Sequence, residues 1–241
     1  MKVVLEYDGS GFAGWQQQAH GRTVEAELKR ALREVTGVDH KVYAAGRTDA
    51  GAHAEGQVVS FETDGRIAPR RLVAALNARL PKDVSVLSAE AAEDGFHARY
   101  SARWRRYRYR YLDRMARPAL ERGRCWHIGG PLDVAAMSMA SKALVGKHDW
   151  TSYCSASEPA AGRVREMRSV KVERRGDFVE LELVGEGFLR GLARSIAGAL
   201  AEVGRGRKPS EWVGEVLSAR DRRQAPRTAP AGGLTLVEVI Y

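Results

Sequence analysis

A segment with two glycines, Ala45–His53, separates two short apolar runs and therefore predicts a turn at one end of a β-sheet. The runs are Lys41–Ala45 before the turn and Gln57–Phe61 after it. Arg47 and Asp49 lie two residues apart within the turn, and a guanidinium beside a carboxylate keeps that carboxylate ionised. An ionised carboxylate suits a nucleophile or a general base, but aspartate near glycine is also ordinary turn chemistry. The turn by itself leaves both roles of Asp49 open.

The charge of the chain predicts an anionic partner. Lysine and arginine total 39 against 30 for aspartate and glutamate, so the formal net charge is +9. This excess is spread along the sequence and indicates nucleic acid as the simplest partner, a merely solvated basic surface being the other interpretation. Hydrophobic residues make up 44% of the chain, and no apolar run approaches the length of a membrane-spanning helix. Acidic residues near the start argue against a signal peptide, and only two cysteines occur, so we expect a cytoplasmic protein.

Two cofactor motifs are present only in part. Gly9–Gly14 fits the pattern G-x-G-x-x-G after a strand-like run, but a dinucleotide site requires those glycines to open directly into a helix. Here they lead into Trp15 and three glutamines, and a helix is predicted only after the N-cap residue Thr23. We therefore expect this segment to contact nucleic acid or a neighbouring loop, or Trp15 to lie in the core. The residues that could suggest zinc lack the close spacing of a metal site: Cys125, His127, His148 and Cys154.

The spacing of apolar residues predicts an α+β protein, because strands and helices alternate without the regular order of a parallel sheet. Helices are predicted from about Thr23 to Gly37, from about Pro69 to Pro81, from Asp133 to Val145, from Phe188 to Val203 and near Ser210–Leu217. Strands are predicted at Lys2–Tyr7, Val84–Leu87, Arg105–Tyr111 and Leu234–Ile240, with a hairpin turning at Gly176-Asp177. The residues from Gly146 to Gly162 are predicted to form a polar loop.

The segment Arg105–Tyr111 has the most regular pattern in the chain. Tyr107, Tyr109 and Tyr111 alternate with arginines, so a strand would place the tyrosines on one face and the arginines on the other. Successive tyrosines on a strand are about 6.5 Å apart, so a single nucleobase can stack on only one of them. We expect the other two to be half-buried structural residues.

Seven motifs occur in a fixed order along the chain: Tyr7-Asp8-Gly9 with Gly14-Trp15-Gln16, Ala45–Gly51, Phe96–Arg99, Arg106–Tyr109, His148–Ser152, Arg194 with Gly198, and Thr228–Pro230. Together these motifs resemble the tRNA pseudouridine synthase A family over essentially the whole chain. Two departures are visible: Ala52 stands where the family usually has valine, and Leu189–Ala193 differs from a segment that is often bulkier.

The resemblance implies an isomerase that converts uridine to pseudouridine at positions 38, 39 and 40 of the tRNA anticodon stem-loop, without a cofactor and as a homodimer. It implies two similar α+β lobes, residues 1–104 with the catalytic loop and residues 105–241 completing the cleft. The lobes would share one mixed, mainly antiparallel sheet with helices packed on one face. By position, Asp49 matches the catalytic aspartate, Arg47 the arginine of the same motif, Tyr107 the tyrosine at the base, and Arg194 a helix arginine that pairs with the aspartate. A tRNA-binding or tRNA-folding helper without chemistry is the alternative.

The reaction explains why such groups are needed. It breaks the N1 glycosidic bond, turns the uracil and joins C5 to the sugar, so no group enters and nothing is oxidised. One carboxylate could act on C1′, act on C6 or remove a proton to give a glycal, and the sequence does not choose among these routes. Arg47 and Arg194 could keep the carboxylate charged against desolvation or hold a phosphate, and Tyr107 could hold the base by stacking.

Overall fold

The computed structural model describes residues 1–64, 67–225 and 227–241 of the chain and divides it into two compact units. The first unit consists of Met1–Arg103 with Leu236–Tyr241, and the second consists of Trp104–Thr235. Among the described residues there are five α-helices: α1 (Val24–Thr36), α2 (Pro69–Asn77), α3 (Val134–Ser141), α4 (Leu192–Gly204) and α5 (Trp212–Ala219). Among the same residues there are ten strands: β1 (Lys2–Tyr7), β2 (Tyr43–Ala44), β3 (His53–Ser60), β4 (Val84–Glu90), β5 (Trp104–Leu112), β6 (Trp126–His127), β7 (Gly146–Asp149), β8 (Val164–Arg175), β9 (Phe178–Gly185) and β10 (Leu234–Ile240).

The strand pairing is mixed but mainly antiparallel. In the first unit β1 lies between β4 and β3, and β2 pairs with β3, all antiparallel. In the second unit β9 lies between β5 and β8, and β7 pairs with β8, again antiparallel, while the short β6 runs parallel to β5. Helices and a mainly antiparallel mixed sheet confirm the predicted α+β class.

Local signals of the sequence define the elements of the first unit. The Thr23 side chain accepts a hydrogen bond from the Ala26 N–H at the start of α1, and Gly37 ends the helix in a left-handed conformation with φ 77°. The side chain of Asn77 at the end of α2 accepts from the N–H of Val86 at 2.7 Å and donates to its carbonyl at 2.9 Å. This pair of bonds fixes the end of α2 to β4.

The three alternating tyrosines of β5 all lie in the core of the second unit. Tyr107, Tyr109 and Tyr111 are buried, whereas Arg106, Arg108 and Arg110 between and beside them are partly exposed, as the alternation predicted. The burial is deeper than expected. The Tyr109 hydroxyl donates to the Pro230 carbonyl at 2.8 Å, and the Tyr111 hydroxyl donates to the Ala197 carbonyl at 2.9 Å. Both hydroxyls satisfy backbone acceptors, so these two rings are structural.

Several predicted boundaries differ in the structure, and two of the differences change an element. The helix expected from Phe188 begins only at Leu192, because Gly191 adopts a left-handed conformation with φ 77° that α-helical backbone cannot include. Arg190 consequently precedes α4 and does not stack one turn below Arg194 on a helix face. The polar loop expected from Gly146 starts instead as the strand β7, which pairs with β8 despite its lack of apolar residues. Pairing partners that are distant in sequence decide such an edge strand.

The carboxylate of Asp113, just after β5, is a buried ionic contact of the second unit. Arg174 of β8 donates to its two oxygens at 3.1 and 2.7 Å, and the N–H of Leu132 donates to it at 3.1 Å. Burial alone would raise the pKa of the Asp113 carboxyl, but these hydrogen bonds outweigh burial and hold the pKa below its usual value.

We expect Asp113→Asn to lower the free energy of unfolding at pH 7 by about 2 kcal/mol, because it removes charge-assisted hydrogen bonds from a buried group. The folded-state pKa is depressed, so the stabilisation is present above the unfolded-state pKa and is lost as the pH falls through the folded-state pKa. Urea unfolding from pH 7 to pH 3 measures both effects. Asp177→Asn, in an exposed pair with Arg114, is the control and should cost less than about 1 kcal/mol. Equal losses in the two variants would contradict this assignment.

Candidate active site

The loop that carries Arg47 and Asp49 lies against the glycine-rich segment that follows β1. The N–H of Trp15 donates to the Thr48 carbonyl at 3.0 Å, and the N–H of Gly51 donates to the Phe12 carbonyl at 3.2 Å. These bonds tie backbone to backbone on both sides of Asp49. The segment Gly9–Trp15 therefore supports a neighbouring loop, one of the roles expected from the sequence, and Trp15 itself is buried in the core.

Two glycines of this segment allow the close approach. A Cβ on Gly14 would lie 2.9 Å from the Thr48 carbonyl oxygen and 3.1 Å from the Ala50 nitrogen, and the φ of Gly14 is +103°. A Cβ on Gly9 would overlap the carbonyl group of Ala52. Only residues without a side chain fit between the two segments at these points. The first and last glycines of the pattern G-x-G-x-x-G are thus explained by contact with the Asp49 loop, whereas a Cβ on Gly11 would meet no atom nearer than 3.7 Å.

A buried chain of polar side chains holds the loop from beneath. The amide of Gln57 donates to the Gly46 carbonyl at 2.6 Å and to the Tyr7 hydroxyl at 3.4 Å. Since the Tyr7 hydroxyl accepts from Gln57, it can donate its own hydrogen to Thr48 Oγ1, which is 2.8 Å away. Burial raises the pKa of Tyr7 to about 12, although its hydrogen bonds with Thr48 and Gln57 oppose the rise. The phenol is therefore neutral and remains a hydrogen-bond donor throughout the physiological range.

The far end of the loop is fixed by a histidine. His53 Nδ1 accepts a hydrogen bond from the N–H of Gly9 at 3.1 Å, so a neutral His53 ring carries its proton on Nε2. The carboxylate of Asp8 is 3.3 Å from the same nitrogen and also accepts the N–H of Ser10 at 3.0 Å. The end of the loop after Asp49 is thus bound to the segment that follows β1, whereas the end before it is bound to β3 through Ala45 and Gly46.

These contacts decide where the side chains of the motif lie. Thr48 is buried and points into the supporting network, Arg47 is exposed, and Asp49 is half-buried. Asp49 is consequently a partly accessible residue on a loop whose backbone is fixed. This placement is compatible with action on a bound molecule.

In the second unit, Tyr107 lies in the middle of β5 and is 5% exposed. Its ring makes an edge-on contact with Phe188, with centroids 4.5 Å apart and an interplanar angle of 62°. Phe188 lies just before α4, in the segment that the sequence predicted to be helical.

Arg194 lies in the first turn of α4 and is half-buried. Its Nε donates to the Ala229 carbonyl at 2.8 Å, and the Ala229 N–H donates to the Arg194 carbonyl at 3.1 Å. Gly198, one turn along the helix, leaves space for the carbonyl of Arg227, which a Cβ would overlap. The motifs around Arg194, Gly198 and Thr228–Pro230 therefore form one packed cluster in this unit.

The sequence did not predict the contacts that several residues of these clusters make. Arg222 donates to Thr228 Oγ1 at 2.9 Å and to the Ser152 carbonyl at 3.1 Å, and so joins two motifs that are far apart in sequence. Tyr7 at the end of β1 and Gln57 in an apolar strand run both lie in predicted strands. Their role in supporting the loop depends on hydrogen bonds that sequence spacing does not predict. A polar amide within a buried strand was the one available indication.

A family model described as tRNA pseudouridine synthase matches residues 3–101 and 140–241 of the chain. The chain belongs to this family. Proteins called tRNA pseudouridine synthase A from three organisms resemble it over at least 91% of their length. The one from Moorella thermoacetica is 43% identical over 243 residues, covering 100% of this chain and 99% of its own. The one from Myxococcus xanthus is 42% identical over 242 residues, covering 100% of this chain and 91% of its own. The one from Thermoanaerobacter sp. is 38% identical over 239 residues, covering 99% of this chain and 98% of its own.

Membership of the tRNA pseudouridine synthase family makes the protein an isomerase that forms pseudouridine in tRNA. In the part of the chain that the structure describes, no group of three or more histidine, cysteine, aspartate or glutamate side chains could hold a metal ion. No helix within that part has the length and apolar character needed to cross a membrane.

We expect Gly14→Ala to slow pseudouridine formation at least about tenfold, because displacement of a positioned group by about 1 Å costs up to two orders of magnitude. The added Cβ must move the Thr48–Ala50 backbone or its own segment. Gly37→Ala is the matched control, since its φ of +77° is equally left-handed but no atom lies within 4 Å of the added Cβ.

Single-turnover rates and thermal unfolding of both variants check this expectation. Gly37→Ala should lose about 1 kcal/mol of stability with an unchanged rate. A Gly14→Ala protein with the rate of the control would contradict a positioning role of the contact.

Proposed function

We propose that this protein isomerises uridine to pseudouridine at positions 38, 39 and 40 of the tRNA anticodon stem-loop, with Asp49 as the catalytic carboxylate. The supporting observation is the half-buried carboxylate of Asp49 on a loop that is fixed at both ends and from beneath. The choice of positions and of Asp49 follows the motif Ala45–Gly51, which matches the family in sequence.

The isomerisation needs one ionised carboxylate next to the nucleotide. The bond from N1 to C1′ breaks, a bond from C5 to C1′ forms, the C5 proton leaves and N1 gains a proton, so substrate and product have the same atoms. Attack on C1′, attack on C6 and proton removal to give a glycal all require a charged Asp49.

Arginines and a tyrosine complete the proposed chemistry. Arg47 is exposed two residues from Asp49, where its guanidinium can contact a phosphate of the nucleotide. The resemblance supports Tyr107 as the residue that contacts the nucleobase, and Arg194 as the cation that pairs with the catalytic carboxylate. Both belong to the second unit, and the Arg194 charge opposes the rise in the pKa of Tyr109, two residues from Tyr107.

Binding of the tRNA uses the charge of the whole chain. The net charge of +9 favours contact with the phosphate backbone, and such binding weakens steeply with salt. A uridine within a stem-loop must leave its stack before a carboxylate can reach its sugar, so we include extrusion of the target nucleotide in the proposal. No cofactor enters the proposed reaction.

The proposal extends to assembly and location. Following the resemblance, we include a homodimer in the cytoplasm, with lobes of residues 1–104 and 105–241 that both contribute to one cleft. Light scattering of the purified protein measures the assembly, and cell fractionation measures the location.

We expect Asp49→Asn to lower tritium release from tRNA carrying 5-tritiated uridine by at least about a hundredfold, since a carboxamide can neither act as a nucleophile nor accept a proton. The Kd for tRNA should stay within about twofold, because the change is isosteric and removes no cation that could contact a phosphate. Asp39→Asn, an exposed carboxylate of the same unit, is the control and should keep the full rate.

The outcomes separate the parts of the proposal. Full tritium release by Asp49→Asn would remove Asp49 from the chemistry. Pseudouridine formed by the wild type only outside positions 38–40 would contradict the proposed site in tRNA and leave the reaction class. Binding of tRNA without any new pseudouridine would identify a helper protein without chemistry.

A further inference from the structure

Three aromatic rings of the first unit form a continuous stack that ends in solvent. The Tyr43 and His97 rings have centroids 4.5 Å apart, and the His97 and Tyr100 rings have centroids 4.4 Å apart, with interplanar angles of 45° and 36°. We call these three residues the aromatic stack. Its outer ring, Tyr100, is 77% exposed, which leaves most of a large aromatic surface in contact with water.

The inner end of the stack is built on the sheet. Tyr43 of β2 pairs directly with Ser60 of β3, so the two side chains project from the same face. On that face the hydroxyl of Ser60 accepts the N–H of Ala98 at 3.0 Å. This bond fixes the segment that carries His97 and Tyr100 next to Tyr43.

The segment itself is a tight turn organised by His97. Its Nδ1 accepts the N–H groups of Arg99 at 3.1 Å and Tyr100 at 3.3 Å. The His97 N–H donates to Ser101 Oγ at 3.0 Å, and the Ser101 N–H donates to the His97 carbonyl at 2.9 Å. The position of the Tyr100 ring is therefore set by its own backbone and by the ring beneath it. Such a ring loses little freedom on binding a ligand.

Cations flank the aromatic stack at both ends. The Lys41 amine is 5.2 Å from the centroid of the Tyr43 ring, and the Arg99 guanidinium carbon is 5.7 Å from the centroid of the Tyr100 ring. One acidic side chain, Glu62, interacts with Lys41 electrostatically. Exposed aromatic rings interleaved with cations are typical of surfaces that bind unpaired nucleotides, where bases stack and phosphates meet the charges.

We propose that Tyr100 receives an unpaired base of the RNA substrate by stacking on its exposed ring, with Arg99 and Lys41 contacting neighbouring phosphates. The proposal rests on RNA being the substrate and adds a nucleotide contact outside the residues assigned to the chemistry. Stacking on an aromatic ring accepts any base, so this contact supplies affinity and register and does not select uridine.

Substitutions at position 100 distinguish stacking from other effects. Tyr100→Ala should raise the Kd for tRNA about 5-fold to about 100-fold, the range for loss of one base–aromatic contact. Tyr100→Phe and Tyr100→Trp should retain the wild-type Kd, because each keeps a planar ring, while Tyr100→Leu should behave as Tyr100→Ala. Val38→Ala removes an exposed apolar side chain elsewhere in the unit and should have no effect.

The salt dependence distinguishes base contacts from phosphate contacts. Tyr100→Ala should leave the slope of log Kd against log salt unchanged, whereas Arg99→Gln and Lys41→Gln should each lower it by about 1. Arg33→Gln removes an exposed arginine of α1 beside Asp39 and serves as the charge control.

A wild-type Kd for Tyr100→Ala, or equal weakening in Tyr100→Trp, would overturn the stacking proposal. Thermal unfolding of all position-100 variants accompanies the binding curves, and a loss of affinity that follows a loss of stability would overturn the stacking proposal as well.

Pseudouridine formation by the wild type is measured in parallel. If the wild type forms pseudouridine and Tyr100→Ala binds normally, the stack fails while the proposed function stands. If the wild type forms none and Tyr100→Ala binds weakly, the proposed function fails while the stack stands.

Discussion

The close approach of two backbone segments underlies the whole candidate site. The turn after β1 and the loop that carries Asp49 touch where Gly9 and Gly14 have no side chains, and hydrogen bonds between main-chain groups join them. Contacts of this kind place a loop more firmly than flexible side chains can, because no rotamer freedom remains between the two backbones. The Asp49 side chain is attached to this fixed backbone, as its proposed role in acid–base or nucleophilic chemistry on a nucleotide requires.

The polar network beneath the loop adds direction to this placement. Buried hydroxyl and amide groups are costly unless they are paired. The bonds of the Tyr7 and Thr48 hydroxyls and of Gln57 Nε2 offset this cost and fix which way the loop faces, although the buried Gln57 Oε1 has no hydrogen-bond partner among the described residues. Because these three side chains are neutral at physiological pH, they support the loop without forming an ion pair with Asp49. Arg47 of the same loop is exposed, so the proposed contact with a phosphate can form there.

Local chemistry made much of the fold predictable from sequence. The cap at Thr23, the stop at Gly37 and the alternation in β5 depend on neighbours in the chain, and the structure has all three. The start of α4 was wrong because Gly191 adopts a left-handed conformation that composition does not reveal. The sequence argued against a dinucleotide site at the glycine-rich segment. It did not predict that the segment contacts the Asp49 loop, which is nearly forty residues away in the chain. Alternation likewise gave the faces of the β5 tyrosines but not their depth.

We infer that the buried bond between Tyr7 and Thr48 positions the loop that carries Asp49. A double-mutant cycle of Tyr7→Phe and Thr48→Val, followed by single-turnover rates of pseudouridine formation, tests it most directly. Each single variant should slow the reaction with an unchanged Kd for tRNA, and the double variant should be no slower than either, with a coupling energy of about 0.5 to 3 kcal/mol. Wild-type rates in the single variants, or losses that simply add in the double variant, would contradict the claim.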